Sequence, residues 1–343
     1  MYNNILVINL MYIGDLLFTT PLLRTLRTNF PAAHIAILAD EKNTGVIKHN
    51  PHLSEIIGID KKGYHNKLPN YIRLIADIRK RKFDLVINLH ASERASVIGA
   101  LSGAKKTIGF SSKGLGVFFD CLVQERTDIH QVDAYLEVLQ AGGINGLDNQ
   151  GLEMWVDEAT EKAATEIWET AISPPQNCDQ KIIGINAGGS WITKRWTKTG
   201  FSQLADRLLE QGYGVAFFGG PMDRADVEEI LSRMKHNRQD KLAVFTGKTT
   251  LLEMAALVKK CTVLVTGDSG PMHIAVARKV PVVGIFGPSD SRRYAPYRQE
   301  NNVIKNGCEC QPCGKHQCDI GHVCMENITV EMVLGKLKDL QIN

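Results

Sequence analysis

The chain has 343 residues, of which 44% are hydrophobic and 22% charged, and its formal net charge is +3. This length suits two domains of ordinary size, and the composition excludes a disordered chain, a collagen and a disulfide-rich miniprotein. The mild charge, without a concentrated basic stripe, argues against nucleic acid as a partner. The apolar N-terminus contains Asp15 and lacks a basic region before it, so we expect no signal peptide, no transmembrane helix and a soluble, cytosolic protein.

The first half alternates short apolar runs with helical patterns. The patterns predict strands at 5–10, 34–38, 55–59, 84–89 and 107–110, and helices at 68–81 and 131–141. The strand runs are apolar nearly throughout, which is typical of parallel strands that are buried on both faces. Gly142 and Gly143 follow the second helix and form a common helix stop.

A Pro-rich stretch separates the halves, because the sequence SPPQN at 173–177 cannot continue a helix and predicts a linker at 173–180. The alternation then restarts, with strands predicted at 181–186, 214–218, 242–245, 263–266 and 281–286, and helices at 201–211, 223–234, 251–259 and from Met272. We therefore predict an α/β protein of two Rossmann-like, doubly wound domains, 1–172 and 181–343, that face a central cleft. Ligands of such sheets bind at the carboxyl ends of strands.

The first candidate motif follows the first strand and ends in Ile-Gly-Asp, with Asp15 as its acid. A carboxylate at this position could be the base that takes the proton from an attacking sugar hydroxyl. It could equally cap the helix that follows. No GxGxxG motif is present here, which argues against a nicotinamide enzyme.

The second candidate motif is GGSWITKRW at 188–196, after the first strand of the second half. Gly188 and Gly189 would let the backbone approach a ligand closely. Lys194 and Arg195 would neutralise a pyrophosphate and make a nucleoside diphosphate a better leaving group. The alternative is a glycine turn followed by solvent-exposed basic residues.

The third candidate motif is GDSGPMH at 267–273, where a buried strand ends and a helix begins. Free N–H groups at a helix N-terminus, together with the helix dipole, favour an anion. The candidate donor-binding residues here are Asp268, Ser269, Gly270, Pro271, Met272 and His273. The alternative is a well-capped helix with His273 in the core.

Two further clusters have two or more interpretations each. Basic residues at 61, 62, 67 and 79–82 form either a solvated helix end or a surface for an anionic acceptor.

Five of the eight cysteines fall within 308–324, and four of them have spacings that could close a structural zinc or iron site, with Cys308 and His316 nearby. The four candidate ligands are Cys310, Cys313, Cys318 and Cys324. Reduced thiols and disulfides are the alternatives, and we expect Cys121, Cys178 and Cys261 to be ordinary residues.

With these motifs in view, the chain resembles glycosyltransferase family 9, the lipopolysaccharide heptosyltransferases, over nearly its whole length. The resemblance rests on Asp15 with Thr20 and Pro21, on KRW at 194–196, on FGG at 218–220 and above all on GDSGPMH. The cysteine-rich tail, with Met325 after its last cysteine, is similar to the heptosyltransferase II branch.

The resemblance implies a GT-B fold and an inverting enzyme that moves heptose from ADP-heptose to the anionic inner core of lipopolysaccharide. It implies a cytoplasmic protein, peripheral at the inner face of the inner membrane, without a catalytic metal. Asp15 would be the general base and Lys194 would meet the donor phosphates. The motif residues that would hold the diphosphate and heptose are Asp268, Ser269, Gly270 and His273. Candidate acceptor contacts are Lys61, Lys62, Lys67 and Arg94, and Asp223 or Glu228 is available for the donor ribose.

Three other functions stay open at this point. A protein O-heptosyltransferase would use the same donor with a peptide acceptor. A nucleotide-sugar epimerase has a similar architecture but would leave a basic acceptor surface unexplained. A non-catalytic protein that binds nucleotide sugars would be favoured if Asp15 were dispensable.

Overall fold

The computed structural model describes residues 2–111, 118–171, 181–236 and 240–341. These residues form two compact units, and the division falls between Trp155 and Val156. The predicted linker at 173–180, which includes Cys178, lies outside the described residues. Within the described ranges, no helix is long and apolar enough to cross a membrane.

The first unit is a parallel sheet with helices, and its described part has six strands and five α-helices. The strands are β1 (Asn4–Asn9), β2 (His34–Asp40), β3 (Glu55–Ile59), β4 (Leu85–Asn88), β5 (Lys106–Gly109) and β6 (Cys121–Leu122). The helices are α1 (Ile13–Phe18), α2 (Thr20–Asn29), α3 (Leu68–Lys80), α4 (Glu93–Leu101) and α5 (Gln131–Ala141). The strand order is β3-β2-β1-β4-β5-β6.

The second unit repeats this architecture. Its strands are β7 (Ile182–Asn186), β8 (Gly214–Phe218), β9 (Leu242–Val244), β10 (Val263–Gly267), β11 (Val282–Ile285) and β12 (Val303–Ile304). Its helices are α6 (Glu158–Ala171), α7 (Lys198–Glu210), α8 (Arg224–Arg233), α9 (Leu251–Val258), α10 (Gly270–Ala277), α11 (Ser291–Tyr294), α12 (Val323–Glu326) and α13 (Val330–Asp339). The strand order is β12-β11-β10-β7-β8-β9.

Both sheets have the Rossmann order, in which the first and fourth strands of the unit are neighbours. In the first unit β1 pairs in parallel with β4, and in the second β7 pairs in parallel with β10. The chain reverses its direction of travel across the sheet at these pairs, so the loops that leave their carboxyl ends diverge and open a crevice. The predicted fold class, two Rossmann-like α/β domains, is confirmed, and the three candidate motifs follow β1, β7 and β10.

The cores explain why these runs form central strands. Residues 5–9 of β1 and all residues of β4, β7, β8, β10 and β11 are buried, as expected for parallel strands covered on both faces. Several helix starts are also encoded locally. Thr250 and Glu253 form a reciprocal capping box at α9, and the Thr197 hydroxyl accepts a 2.9 Å bond from the Gly200 N–H at α7.

Helix α6 belongs to the second unit, although the sequence pattern placed residues up to 172 in the first domain. It packs against α9 and β9. Trp168 stacks on Phe245 with ring centroids 5.7 Å apart, and Glu161 forms an ion pair with Arg278. Such tertiary contacts leave no mark on the local sequence, which shows only an amphipathic helix before a Pro-rich stretch.

Candidate active site

The loop after β1 is shaped by a buried asparagine. Asn9 is fully buried, and its amide nitrogen donates to the Thr19 hydroxyl at 2.8 Å and to the Asp15 carbonyl at 3.2 Å. Its side-chain oxygen accepts from the Met11 N–H at 3.2 Å. Because a buried amide is costly to leave unpaired, these bonds fix the turn that places α1 at the carboxyl end of β1.

Asp15 lies in the first turn of α1 and is half-buried. One of its carboxylate oxygens accepts from the N–H of Tyr12, the N-cap residue, at 3.3 Å. Asp15 therefore supports the helix start from its third position and is not the N-cap residue itself. The helix N-terminus stabilises the ionised carboxylate. A carboxylate held in this way presents a base at the edge of the sheet, so the capping contact and a catalytic role are compatible.

Lys61 is bonded to the loop after β1, and Arg94 is bonded to Lys61. The Lys61 ammonium donates to the Leu10 carbonyl at 2.6 Å and pairs with Asp40 at 3.0 Å. Arg94 donates to the Lys61 carbonyl at 2.7 Å and to the Asn66 side chain at 3.0 Å. These two predicted acceptor contacts thus hold the loop near Asp15 together.

Lys62 and Lys67 are exposed, whereas Lys61 is half-buried. Lys67 is the residue before α3, and Lys62 lies in a turn organised by Asp60. The main-chain N–H groups of Tyr64 and Gly63 donate to the Asp60 carboxylate at 2.7 and 2.9 Å and lower its pKa. The turn therefore presents exposed ammonium groups on a defined backbone.

His90 is a residue that the sequence motifs did not reveal. It follows β4, and its ring nitrogen Nδ1 lies 3.2 Å from the Ser92 hydroxyl. Burial, with a smaller contribution from the positive charge of Lys61, lowers the pKa of His90 to about 4. The ring is therefore neutral near pH 7. The only sequence signal was its position directly after a buried strand at the β1/β4 edge.

The second unit has a matching asparagine at the end of β7. The buried Asn186 amide donates to the Thr266 hydroxyl at 2.9 Å, the Ser269 hydroxyl at 3.1 Å and the Gly188 carbonyl at 3.3 Å. One side chain thereby joins the loop after β7 to the loop after β10. The second and third sequence motifs are brought together, as sites at strand ends require.

Gly188 allows the β7 loop to lie against Asp223. A Cβ atom at Gly188 would lie 2.3 Å from the Asp223 carboxyl carbon, so a side chain there would displace that group. Asp223 is 6% exposed and accepts from the Gly220 N–H at 2.8 Å, whereas Glu228 is exposed on α8. Of the two acids considered for the donor ribose, Asp223 is the one at the sheet edge.

Gly189 is held by the second cation of its motif. Arg195 donates twice to the Gly189 carbonyl, at 2.6 and 2.9 Å, and forms an ion pair with Asp226. Burial alone would raise the pKa of Asp226, but Lys198 and Arg195 lower it below its usual range. Arg195 therefore braces the glycine turn.

Lys194 lies at the junction of the second and third motifs. Its ammonium is 2.6 Å from the Asp268 carboxylate and 4.3 Å from the centre of the Trp191 ring. Gly267 makes this approach possible, since a Cβ there would lie 2.7 Å from the Lys194 carbonyl. The sequence predicted both charged groups as donor contacts, and the structure places them in direct contact with one another.

The N-terminus of α10 completes this edge of the sheet. Ser269 precedes the helix and Gly270 and Pro271 begin it, so Pro271 lies where its missing N–H costs nothing. His273 is 4% exposed, with Nε2 3.9 Å from Asp268. Met272 is fully buried. Its sulfur would lie 3.5 Å from a Cβ atom added at Gly284, so the side chain packs in the core. The sequence pattern could not separate this core position from its neighbours in the motif.

The family model of glycosyltransferase family 9 (heptosyltransferase) matches residues 71–324. The chain belongs to glycosyltransferase family 9. The match includes β7, β10 and both candidate donor motifs, and the resemblance seen in the sequence is confirmed.

Individual members of family 9 are similar over most of the chain. Lipopolysaccharide heptosyltransferase 3 of Escherichia coli K12 is 29% identical over 302 residues, which cover 86% of this chain and 85% of that protein. A crystal structure of a family 9 glycosyltransferase from Veillonella parvula is 32% identical, with a TM-score of 0.88 and coverage of 98% and 97%. The E. coli ADP-heptose lps heptosyltransferase II superposes with a TM-score of 0.76 at 23% identity and covers 98% of both chains, which shows the shared fold.

The cysteine-rich segment of this family 9 chain lines a pocket of about 100 Å³. Cys310, Cys313, Cys318 and Cys324, the four predicted ligands, all contribute to its wall. Burial raises the pKa of Cys324 to about 11, and the other cysteines of the segment add to the shift. The sulfurs of Cys308 and Cys310 are 3.6 Å apart. Across the described ranges, no group of three or more metal-binding side chains converges on one point.

Proposed function

We propose that this family 9 glycosyltransferase transfers heptose from ADP-heptose to the inner core of lipopolysaccharide, with inversion at the anomeric carbon. The observation that carries the proposal is the cluster at the β7 and β10 ends, where Lys194 and Asp268 meet beside the N-terminus of α10. A nucleoside diphosphate needs a cation and free N–H groups at one place. The similar enzyme from E. coli is described as an ADP-heptose lps heptosyltransferase.

In the proposed mechanism the second unit, with its sheet from 181 onward, binds the donor. Lys194 and the first N–H groups of α10 neutralise the charge that grows on ADP as the bond between the anomeric carbon and the phosphate oxygen breaks. Gly188 and Gly189 let the backbone approach the diphosphate, and Asp223 accepts from a ribose hydroxyl. Asp268, Ser269 and His273 orient the diphosphate and the heptose.

The first unit binds the acceptor and supplies the base. A hydroxyl of the acceptor attacks the anomeric carbon from the face opposite to ADP, and its proton passes to the Asp15 carboxylate. The new carbon–oxygen bond forms as the old one breaks, which inverts the configuration. The exposed Lys62 and Lys67 attract the anionic groups of the acceptor, and Lys61 and Arg94 keep the loop around the base in place.

The acceptor and the place of reaction follow from the same chemistry. An inner core that carries phosphate groups is anionic and is anchored in a membrane, so exposed ammonium groups would direct the enzyme to that surface. We therefore propose a cytoplasmic enzyme that associates peripherally with the inner membrane. Transfer of heptose to a peptide would contradict the proposed lipopolysaccharide acceptor.

The first test is calorimetric titration of the purified protein with ADP, UDP, GDP and NAD, followed by transfer assays on Asp15→Asn. ADP should bind in preference to the others. Asp15→Asn should reduce transfer by about 100- to 10,000-fold while ADP affinity stays unchanged, because the base acts only on the acceptor proton. Asp77→Asn, which changes an exposed carboxylate on α3, is the matched control. A fully active Asp15→Asn variant would refute the assignment of the base.

We also propose that the cysteine-rich segment binds a structural zinc or iron ion through Cys310, Cys313, Cys318 and Cys324. The support is that four thiols line one small pocket. Their sulfur atoms do not converge on one point within the described ranges, so metal binding would have to bring them closer together. Elemental analysis of protein purified without chelators should find about one ion per chain, and Cys318→Ser should lower that content. Metal-free protein with unchanged thermal stability would exclude the site.

A further inference from the structure

The cysteine-rich segment packs directly on the loop that carries Lys194. The ring of His316 lies against the ring of Trp191, with centroids 3.6 Å apart and an angle of 33° between the planes. His316 is itself an exposed residue, so this aromatic contact is made at the protein surface. Because His316 stays exposed, burial of its ring contributes little to the free energy of folding. Its contact with Trp191 therefore needs another explanation.

Trp191 connects this contact to the donor site. The Lys194 ammonium lies over the Trp191 ring, 4.3 Å from its centre, while it contacts Asp268 at 2.6 Å. A lysine side chain has four rotatable bonds, and a cation over an aromatic face loses much of that freedom. The position of the Trp191 ring therefore helps to decide where the ammonium lies.

Further bonds fix the cysteine-rich segment to the same edge of the sheet. The hydroxyl of Thr193, a buried residue of the Lys194 loop, donates to the Lys315 carbonyl at 2.8 Å. The Gln311 side chain donates to the carbonyls of Phe286 and Gly287, directly after β11, at 2.8 Å each. His316 is thus held at a fixed place and not on a free tail.

We propose that the cysteine-rich segment contributes to donor binding and that His316 is a positioning residue. His316 holds the Trp191 ring in place, and Trp191 holds the Lys194 ammonium where the donor diphosphate binds. This inference rests on the proposed function, because it assigns the diphosphate to Lys194. Its specific consequence is that removal of the His316 ring weakens binding of the diphosphate part of the donor and leaves binding of the adenosine part unchanged.

The experiment measures the affinities for ADP and for adenosine by calorimetry on the full chain, for the wild type and His316→Ala. We expect His316→Ala to bind ADP roughly 3- to 10-fold more weakly, the range for the loss of one aromatic contact, and adenosine as before. His316→Phe restores a ring that can stack and should recover most of the ADP affinity. Gln317→Ala, a change at the exposed neighbouring residue, is the matched control and should behave as the wild type.

A double-mutant cycle shows whether His316 acts through Trp191. Trp191→Ala should weaken ADP binding at least as much as His316→Ala, and the double variant should be no weaker than Trp191→Ala alone. Transfer assays add a second readout: His316→Ala should raise KM for the nucleotide-sugar donor and leave kcat nearly unchanged. These readouts separate positioning from a general loss of structure, which would lower the affinity for adenosine as well.

Three results would overturn the inference. They are an ADP affinity of His316→Ala equal to that of the wild type, equal losses for ADP and adenosine, and additive losses in the double-mutant cycle. Failure of the proposed function gives a different result, because the wild type itself would then not bind ADP in preference to UDP, GDP and NAD.

Discussion

The two sheet edges have the same framework and use it differently. In each unit the first strand ends in a buried asparagine. The Asn9 amide fixes the turn after β1, and the Asn186 amide joins the loops after β7 and β10. At the first edge Lys61 is bonded to a main-chain carbonyl and paired with Asp40, and the exposed Lys62 and Lys67 lie beside it. At the second edge Lys194 and Arg195 are paired with carboxylates.

This difference in the pairing of the lysines indicates how each edge would bind an anion. A diphosphate at the second edge must share Lys194 with Asp268 or displace that carboxylate, so binding depends on geometry as well as on charge. An anion at the first edge meets Lys62 and Lys67, neither of which forms an ion pair within the described part of the chain. Attraction there is long-ranged and is screened by salt.

The largest expected effect is at the second edge. Lys194→Ala removes the cation and leaves Asp268, which is 7% exposed, without its partner. The variant loses the charge pair that Lys194 would form with the diphosphate and keeps Asp268 as a repelling charge. This costs on the order of 2–5 kcal/mol in binding, so ADP affinity should fall by roughly 30-fold or more by calorimetry. Lys336→Ala, which removes an ion-paired lysine of α13 in the second unit, is the control and should keep the affinity. Unchanged ADP binding by Lys194→Ala would remove its phosphate role and the contrast between the edges.

The second effect is a pH dependence at the first edge. Because the pKa of His90 is about 4 in the folded protein and ordinarily near 6.5, the unfolded chain binds the proton more readily between these values. The stabilisation from the neutral ring is complete above pH 6.5 and is lost as the pH falls towards 4. We expect His90→Gln to lose about 3 kcal/mol less of its free energy of unfolding than the wild type over this window. Urea unfolding at several pH values measures this, with His236→Gln as control, since that half-exposed ring lies beside Glu210 at the surface. Identical pH profiles for wild type and His90→Gln would show that the ring is solvated.

The smallest effect tests the exposed charges. Replacement of both Lys62 and Lys67 by alanine should raise KM for the acceptor by about 3- to 10-fold at low salt, with kcat and thermal stability unchanged, since each exposed charge contributes weakly. The effect should shrink at about 0.5 M salt, where screening removes the attraction. Replacement of both Lys259 and Lys338 by alanine, two exposed lysines of the second unit, controls for the change in net charge. A salt-independent change in KM would indicate direct contacts in place of long-range attraction.

Local sequence was sufficient for most of the framework. The predicted bounds of the strand at 55–59, the helix at 131–141 and the strand at 214–218 agree with the structure residue for residue. These runs are followed directly by Asp60, Gly142 and Gly219, residues that favour turns and helix ends. Seven helices of the structure were not predicted: α1, α2, α4, α6, α11, α12 and α13. Helices α1, α11 and α12 are short, a single residue separates α1 from α2, and α4 has weak amphipathicity.

What the sequence alone determined was the fold class, the family resemblance and the strand ends at which the charged motifs lie, because these depend on local patterns along one chain. What only the tertiary structure decided was which groups meet: Lys194 with Asp268, Lys61 with Leu10, Trp191 with His316, and helix α6 with the second unit. These contacts join residues 51 to 125 positions apart in the three side-chain cases. Strand order and packing determine which residues become partners, and the spacing of residues along the sequence does not reveal these pairings.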